Sequence, residues 1–219
     1  IEIEEPSIYL GELSNDYVIV RTDTREFHYP KGDENVFTQY GGRGGLALDS
    51  LWRKVIFAMR FGAYQIVLSD DITPESRILY NRNIGTRVRT LARFLFLDAD
   101  PYMVIADGRL FWMYDAYTVS GRYPYASPAA GGINYIRNAV KVVIDAYHGD
   151  TTFYLADATD PIAATFDRIF PDVFKPIAEM PASIRAHVRY PEDIFSLQAA
   201  VYATYHMTQP PVVYNPDDQ

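Results

Sequence analysis

Four carboxylates occupy positions where the surrounding residues predict loops or strand ends, which is where catalytic acids and bases are commonly held. Asp33 and Glu34 lie in a polar stretch after Gly32, Asp107 begins a predicted turn, and Asp115 comes near the end of an apolar run. Two carboxylates held roughly 5 to 9 Å apart can act as acid and base in the hydrolysis of a glycosidic polymer. These four residues are the candidate catalytic residues, and the hypothesis requires two of them to meet in one cleft.

A second set of polar residues has the character of a binding site. The segment Asn134-Tyr135-Ile136-Arg137-Asn138 concentrates hydrogen-bonding groups beside an aromatic ring. Two arginines offer guanidinium groups for an anionic ligand, although internal ion pairs with the aspartates that flank them in sequence are the favoured interpretation. The candidate ligand-binding residues are Asn134, Tyr135, Arg137, Asn138, Arg77 and Arg82.

Common signatures of metal, cofactor and nucleophile chemistry do not occur in the sequence. The segment Gly41-Gly42-Arg43-Gly44-Gly45 precedes a predicted helix, but no Gly-Lys-Ser/Thr follows, so a flexible loop is favoured over a phosphate-binding loop. The 4 histidines have no zinc-site spacing, and the aspartates around residues 98–100 do not fit a calcium loop. With 0 cysteines, thiolate sites and disulfides are excluded. The sequence predicts neither a metal nor a cofactor.

Composition predicts a folded, water-soluble chain that does not bind nucleic acid. Hydrophobic residues make up 48% and charged residues 22% of the 219 residues, a balance typical of globular proteins. The net charge of -8 repels phosphate backbones and anionic lipid surfaces. We expect one large domain over residues 1–219, strand-rich with helices over 1–157 and helical over 158–207. The start at Ile1 leads us to expect a piece of a longer protein.

In the first half of the chain, the pattern predicts a hairpin and two helices. Residues 8–10 and 17–21 flank a polar turn and are predicted to pair. A helix with one apolar face is predicted to start at Asp49 or Ser50, to end at Gly62 and to pack that face against another part of the protein. Its apolar residues are Leu48, Leu51, Trp52, Val55, Ile56 and Met59. Thr73-Pro74 predicts the start of a second helix, with a break at Gly85.

In the second half, two hairpins are followed by helices. Asp107-Gly108 predicts a tight turn between two apolar runs within residues 102–117, and a second hairpin turns at residues 148–150. Helices are predicted to begin at Asp160-Pro161, Pro181 and Pro191. Strands and helices in separate blocks indicate an α+β fold with a mainly antiparallel sheet built from hairpins, helices packed on it and a helical C-terminal part. A doubly wound parallel sheet is the weaker alternative.

Several stretches together resemble a known family. They are NDYVIV from Asn15, TPESRILY from Thr73, ADGRL from Ala106, GINYIRN from Gly132, RYPED from Arg189 and YATYHM from Tyr202. The chain is similar along nearly its whole length to uncharacterised protein family 0182, large bacterial multi-pass membrane proteins with a long extracytoplasmic region.

The resemblance implies a place in the cell and no reaction. It places the chain on the extracytoplasmic side of the cell membrane, with the protein's own membrane-spanning region as a partner. The first hypothesis is a binding or interaction module for an envelope component or another membrane subunit. The alternative is a hydrolase of envelope polymers that uses the paired carboxylates, and a third hypothesis is an oligomerisation platform.

Overall fold

The computed structural model describes residues 3–31 and 34–205, which form an α+β fold. Most strand pairs with a determined register are antiparallel, so the predicted fold class is confirmed. The described residues divide into two compact units. The first takes in residues up to Leu91 together with Gly108–Phe111 and Ile144–Thr151, and the second takes in the remainder. The single domain expected from sequence stays a prediction.

The first unit contains a three-stranded sheet, a separate hairpin and three helices. Its sheet has the order β1-β5-β4, and β2 pairs with β3. The elements are β1 (Tyr17–Val20), β2 (Glu26–Lys31), β3 (Glu34–Thr38), β4 (Leu46–Ala47), α1 (Leu51–Phe61), α2 (Gln65–Leu68), β5 (Arg77–Tyr80) and α3 (Ile84–Leu91). A buried apolar cluster holds α1 and α2 against the sheet, and its members are Leu48, Phe57, Ile66, Ile72 and Ile78.

The helix predicted around residues 48–62 is confirmed as α1. The side chain of Ser50 accepts a hydrogen bond from the Arg53 N–H, and Gly62 closes the helix with a φ of 63°. Both caps follow from local chemistry, because Ser accepts well at an N-cap and Gly adopts a left-handed conformation without strain.

The first predicted hairpin is wrong. Residues 8–10 form no strand, and β1 pairs antiparallel with β5 instead. The N–H groups of Tyr9 and Leu10 both donate to the Ala146 carbonyl, at 2.9 and 3.0 Å, and Leu10 is buried. These main-chain groups therefore have partners far away in sequence, which a local turn pattern does not reveal.

The helix predicted from Thr73 is also wrong at its start. Residues 73–76 form a turn, in which the Thr73 N–H donates to Ser76 Oγ at 3.0 Å, and β5 follows directly. Ile78 and Leu79 are buried between the flanking strands, so tertiary burial outweighs the local helix signal. Helix α3 begins only at Ile84, and Gly85 lies buried inside it rather than at a break.

The second unit holds most of a six-stranded sheet of order β11-β10-β9-β8-β6, with β7 paired to β8. The strands are β6 (Phe96–Leu97), β7 (Tyr102–Ala106), β8 (Arg109–Ser120), β9 (Tyr135–Asp145), β10 (Thr151–Leu155) and β11 (Phe174–Pro176). The helices are α4 (Pro161–Ile169), α5 (Ala182–Arg185) and α6 (Glu192–Tyr205). The three helices predicted to begin after residues 160, 181 and 191 are thus confirmed.

Both hairpins predicted in this half are confirmed. Asp107 and Gly108 have φ values of 50° and 72°, the pair of positive angles that a type I′ turn requires. The other hairpin joins β9 to β10. Asp160 caps α4 by accepting from the Ala163 N–H at 2.9 Å.

Candidate functional site

Asp107 and Asp115, two of the predicted catalytic carboxylates, lie apart from each other in the structure. Asp107 lies in the β7–β8 turn and accepts a hydrogen bond from Ser183 Oγ at 2.7 Å, whereas Asp115 is buried within β8. The six residue steps along β8 from Arg109 to Asp115 span about 20 Å, too far for an acid and base acting on one bond. Glu34 belongs to β3 in the first unit, and Asp33 lies outside the described residues.

Asp115 instead forms a buried ion pair with Lys141 on the neighbouring strand β9. Asn138 donates to the same carboxylate oxygen at 3.1 Å, and Lys141 Nζ also donates to the Arg189 carbonyl at 3.1 Å. Burial raises the pKa of Asp115 above its ordinary value, against the opposing effect of Lys141 and Asn138. The carboxylate is therefore occupied by protein donors.

A second buried carboxylate, Asp98, lies beside this pair. It accepts hydrogen bonds from the Tyr117 hydroxyl, from the Asp100 N–H at 3.0 Å and from the Asp193 N–H at 3.2 Å. Burial, followed by the bond to Asp98, raises the pKa of Tyr117. Both carboxylates are less than 5% exposed. This arrangement joins β6, β8, β9 and the start of α6, and its physical role is to hold them together.

Two of the predicted ligand-binding residues organise the loop between β8 and β9. Asn134 accepts from the Tyr123 N–H at 2.9 Å and donates back to the Tyr123 carbonyl at 2.8 Å. The Tyr135 hydroxyl donates to Asp160, and its ring stacks on Tyr123 with centroids 5.5 Å apart. The polar groups of Asn134 and Tyr135 thus form hydrogen bonds within this protein.

The other two candidates from the segment 134–138 are Arg137 and Asn138. They line an open pocket of about 400 Å³ with Lys141, Arg189 and Tyr190. Asn138 and Lys141 are engaged by Asp115, as described above. Arg137 is exposed and contributes to lowering the pKa of Asp157, for which the Thr159 hydrogen bonds are the larger cause. Of the predicted set, Arg137 is the residue whose charge faces solvent here.

The glycine loop 41–45 is held by hydrogen bonds rather than left flexible. Arg77 donates to the Gly44 and Gly45 carbonyls at 2.7 and 2.6 Å. The Gly41 N–H donates to the Tyr147 hydroxyl at 2.8 Å, and the Gly44 N–H to the Tyr40 hydroxyl at 3.0 Å. Arg77 thus clamps the main chain, and the amides of Gly41, Arg43 and Gly44 have side-chain partners.

Arg82 has a similar role. Its Nε donates to the Tyr9 carbonyl at 2.7 Å, and burial lowers its pKa. The sequence favoured ion pairs for Arg77 and Arg82. In the structure both side chains instead donate hydrogen bonds to main-chain carbonyl groups.

Helix α1 packs on the core of the first unit through the side that carries Phe57 and Phe61. Phe57 is 7% exposed, and the Phe61 ring stacks on Tyr17 with centroids 4.4 Å apart. Lys54 Nζ donates to the Ile72 carbonyl at 2.6 Å from the same side. This buried side is not the one that the sequence pattern favoured.

The apolar face that the sequence pattern indicated is exposed in the structure. We call Leu51, Trp52, Ile56 and Met59 the α1 surface, and their exposed fractions are 66%, 78%, 55% and 73%. At 3.6 residues per turn they fall within roughly 140° of the helix circumference. Tyr64 and Leu68, in the segment that follows, are 67% and 71% exposed. Clustered apolar side chains of this kind mark interaction sites.

A sequence signal for this surface exists. Helix α1 carries apolar residues on two opposite sides, since Phe57 and Phe61 lie across the helix from Trp52 and Ile56. A helix that is apolar nearly all round is normally covered all round. The sequence pattern indicated one of these two apolar sides, and the structure buries the other.

Comparison with known proteins identifies relatives that are longer than this chain. A UPF0182 protein of Geobacter sp. (strain M21) is 55% identical over 219 residues, which cover 100% of this chain and 24% of that protein. A UPF0182 protein of Microcystis aeruginosa is 50% identical over 224 residues, covering 100% of this chain and 23% of its own length. The chain thus spans about a quarter of the curated relatives it matches.

No solved structure matches the chain. Within residues 3–31 and 34–205, the helices are too short or too polar to cross a bilayer. The model of the uncharacterised protein family UPF0182 matches residues 1–219. Because that match runs from end to end and relatives share half or more of the positions, this chain belongs to the uncharacterised protein family UPF0182.

Proposed function

We propose that this chain is an extracytoplasmic interaction module of a bacterial integral membrane protein, and that the α1 surface docks on another part of the same polypeptide. The observation that carries the proposal is the exposure of Leu51, Trp52, Ile56 and Met59 on a helix whose opposite side is already packed. The membrane and extracytoplasmic assignment rests on the family resemblance described above.

Burial of the α1 surface offers enough free energy for a stable contact. These four large apolar side chains are already partly covered, so burying the rest of their surface contributes roughly 4 to 8 kcal/mol before the costs of association are subtracted. A partner in the same polypeptide loses little translational freedom on docking, because the tether keeps its effective concentration high. The relatives, about four times as long as this chain, contain ample polypeptide for such a contact.

A protein partner fits the surface better than a bilayer does. The net charge of -8 opposes approach to an anionic lipid surface. Of the two arginines beside the α1 surface, Arg53 is already paired with Asp49 at 2.9 Å. Little positive charge therefore remains at this face to attract lipid headgroups.

Photo-cross-linking in the full-length protein tests the proposal. A benzophenone amino acid at position 52 is expected to cross-link to a segment of the same polypeptide outside residues 1–219. The matched control is position 13, where Leu13 is 98% exposed and is not part of α1. Cross-links from position 52 to lipid alone, or none at all, would overturn the proposal, and a cross-linked dimer would favour the oligomerisation hypothesis instead.

The hydrolase alternative lacks a supporting observation. Asp107 and Asp115 lie far apart along one hairpin, and Asp98 and Asp115, which lie near each other, are buried and hydrogen-bonded to protein donors. An envelope component remains a candidate partner for the pocket at Arg137.

A further inference from the structure

A pocket of about 410 Å³ in the first unit is lined by basic and apolar residues, and none of its described lining residues is acidic. Its polar side is formed by Arg60, Arg87 and His148, and its apolar side includes Leu10, Leu79 and Leu91. Three basic residues without an acidic one are notable in a chain whose net charge is -8. The volume lies within the range of small-molecule sites.

Arg87 is the central cation of this pocket. Its Nε donates to Thr151 Oγ1 at 3.0 Å, its Nη2 to the Gly149 carbonyl at 2.6 Å and its Nη1 to the Tyr80 carbonyl at 3.4 Å. A guanidinium has five N–H groups, so these bonds fix its orientation and leave two donors.

No described carboxylate lies within ion-pair distance of Arg87. Asp150, whose charge acts on it from further away, is paired with Arg43. Burial lowers the pKa of Arg87, so its environment disfavours an uncompensated positive charge. An anion in the pocket would supply the missing counter-charge.

Two further groups complete the polar side. Arg60 is exposed at the end of α1, and its guanidinium carbon lies 5.2 Å from the Tyr80 ring centroid. His148 Nδ1 accepts from the Arg43 N–H at 3.4 Å, so the neutral ring carries its proton on Nε2 and offers a donor there. All the basic side chains of the pocket are therefore donors.

The geometry points to a binding site for a small organic anion with an apolar part, its carboxylate or phosphate group held by Arg87 and Arg60 and its apolar part against the leucines. Leu46 and Leu91 line the same pocket and are 46% and 54% exposed, so an alkyl group would cover apolar surface that is now in contact with water. This inference does not depend on the role proposed for the α1 surface.

Calorimetric titration of the 219-residue chain at low salt tests the site with five probes: octyl phosphate, octanoate, inorganic phosphate, acetate and octyl glucoside. We expect saturable binding of octyl phosphate or octanoate, and comparison of the two identifies phosphate or carboxylate as the preferred group. Inorganic phosphate and acetate are expected to bind more weakly, because they leave the leucines exposed. Equal binding of uncharged octyl glucoside, or no binding of either alkyl anion, would overturn the proposal.

Variants at exposed positions separate binding from folding. Arg60→Gln is expected to weaken binding of the alkyl anion about three- to fivefold, the effect of removing one partly solvated charge. Leu91→Asp, which places a negative charge in the apolar wall, is expected to reduce binding further. Arg53→Gln is the matched control, since Arg53 lies on the same helix but does not line the pocket. Equal affinities for Arg60→Gln and Arg53→Gln would contradict the site.

Discussion

Lys141 and Asp115 are both buried, with exposed fractions of 5% and 4%, and their charged atoms are in direct contact. Removing two charges from water costs several kcal/mol, so such a pair adds little net stability compared with apolar residues of the same size. Leaving either charge alone in the same place is much more costly. The pair therefore constrains which strands and helices can lie together around it.

Replacement of the lysine alone should reveal that constraint. Lys141→Met leaves Asp115 buried without its cation, and we expect the free energy of unfolding at pH 7 to fall by about 3 to 5 kcal/mol. Burial already raises the pKa of Asp115, and loss of Lys141 raises it further. The measurement is urea denaturation of the 219-residue chain.

The pH dependence of this variant has a definite sign. With its pKa raised in the folded state, Asp115 keeps a proton at pH values where the unfolded chain has released it. The associated stability is present below the unfolded pKa of about 4 and is lost as the pH rises through the folded pKa. The deficit of Lys141→Met should therefore shrink from about pH 7 to about pH 5.

Lys54→Met is the control, because Lys54 Nζ donates to a carbonyl that does not titrate. It should cost about 1 kcal/mol at every pH. A pH-independent deficit for Lys141→Met would show that Asp115 gains no proton when its partner is removed.

Residue types alone identified part of this arrangement. Asp115 and Asn138 were both sequence candidates, Asp115 for catalysis and Asn138 for ligand binding, and the structure brings them together at 3.1 Å, which the sequence did not predict. Their partner Lys141 and the neighbouring carboxylate Asp98 were not, because they meet only through the pairing of β6, β8 and β9. A single lysine in an apolar strand, such as Lys141 in β9, indicates that a buried carboxylate lies nearby. It does not indicate which carboxylate that is.

Among the elements, the glycine loop 41–45 shows how tightly the main chain approaches its neighbours. A Cβ added at Gly44 would overlap the His148 carbonyl oxygen, whereas one added at Gly41 would lie 3.4 Å from the Tyr147 hydroxyl, an ordinary contact. We expect Gly44→Ala to lower the free energy of unfolding by about 1 to 3 kcal/mol, the cost of overpacking. Gly41→Ala should change it by less than about 0.5 kcal/mol. Equal stabilities in thermal or chemical denaturation would contradict the close approach.

The two sides of α1 provide a second comparison between neighbouring residues. Phe57 is 7% exposed and Ile56 is 55% exposed. Phe57→Ala should cost about 3 to 5 kcal/mol in the 219-residue chain, because it leaves a cavity in the core. Ile56→Ala should cost less than about 1 kcal/mol, since much of that side chain is already in water. Similar losses for the two variants would mean that the Ile56 side is covered within this chain.

Elements with local signals were predicted well, and elements fixed by distant partners were not. Asp107-Gly108 determines its own turn because both residues accept positive φ, and Ser50 and Asp160 cap their helices through adjacent N–H groups. By contrast, residues 77–80 follow Thr73-Pro74, a sequence that is typical of a helix start. They form a strand because β1 and β4 pair with them on either side. That pairing spans about 60 residues of sequence and leaves no local trace.

At the scale of the whole protein, the uncovered α1 surface leads to a comparison between this chain and the full-length protein. Hydroxyl-radical footprinting modifies exposed side chains, and tryptophan and methionine are among the side chains that react readily.

In the 219-residue chain Trp52 and Met59 should react rapidly, while Met113, at 1% exposed, should not. In the full-length protein we expect several-fold protection of Trp52 and Met59, because burial of apolar surface is the main driving force for docking. Leu13 should keep its reactivity as an exposed residue that is not part of α1. Unchanged rates at Trp52 and Met59 in both proteins would show that no other part of the polypeptide covers this helix.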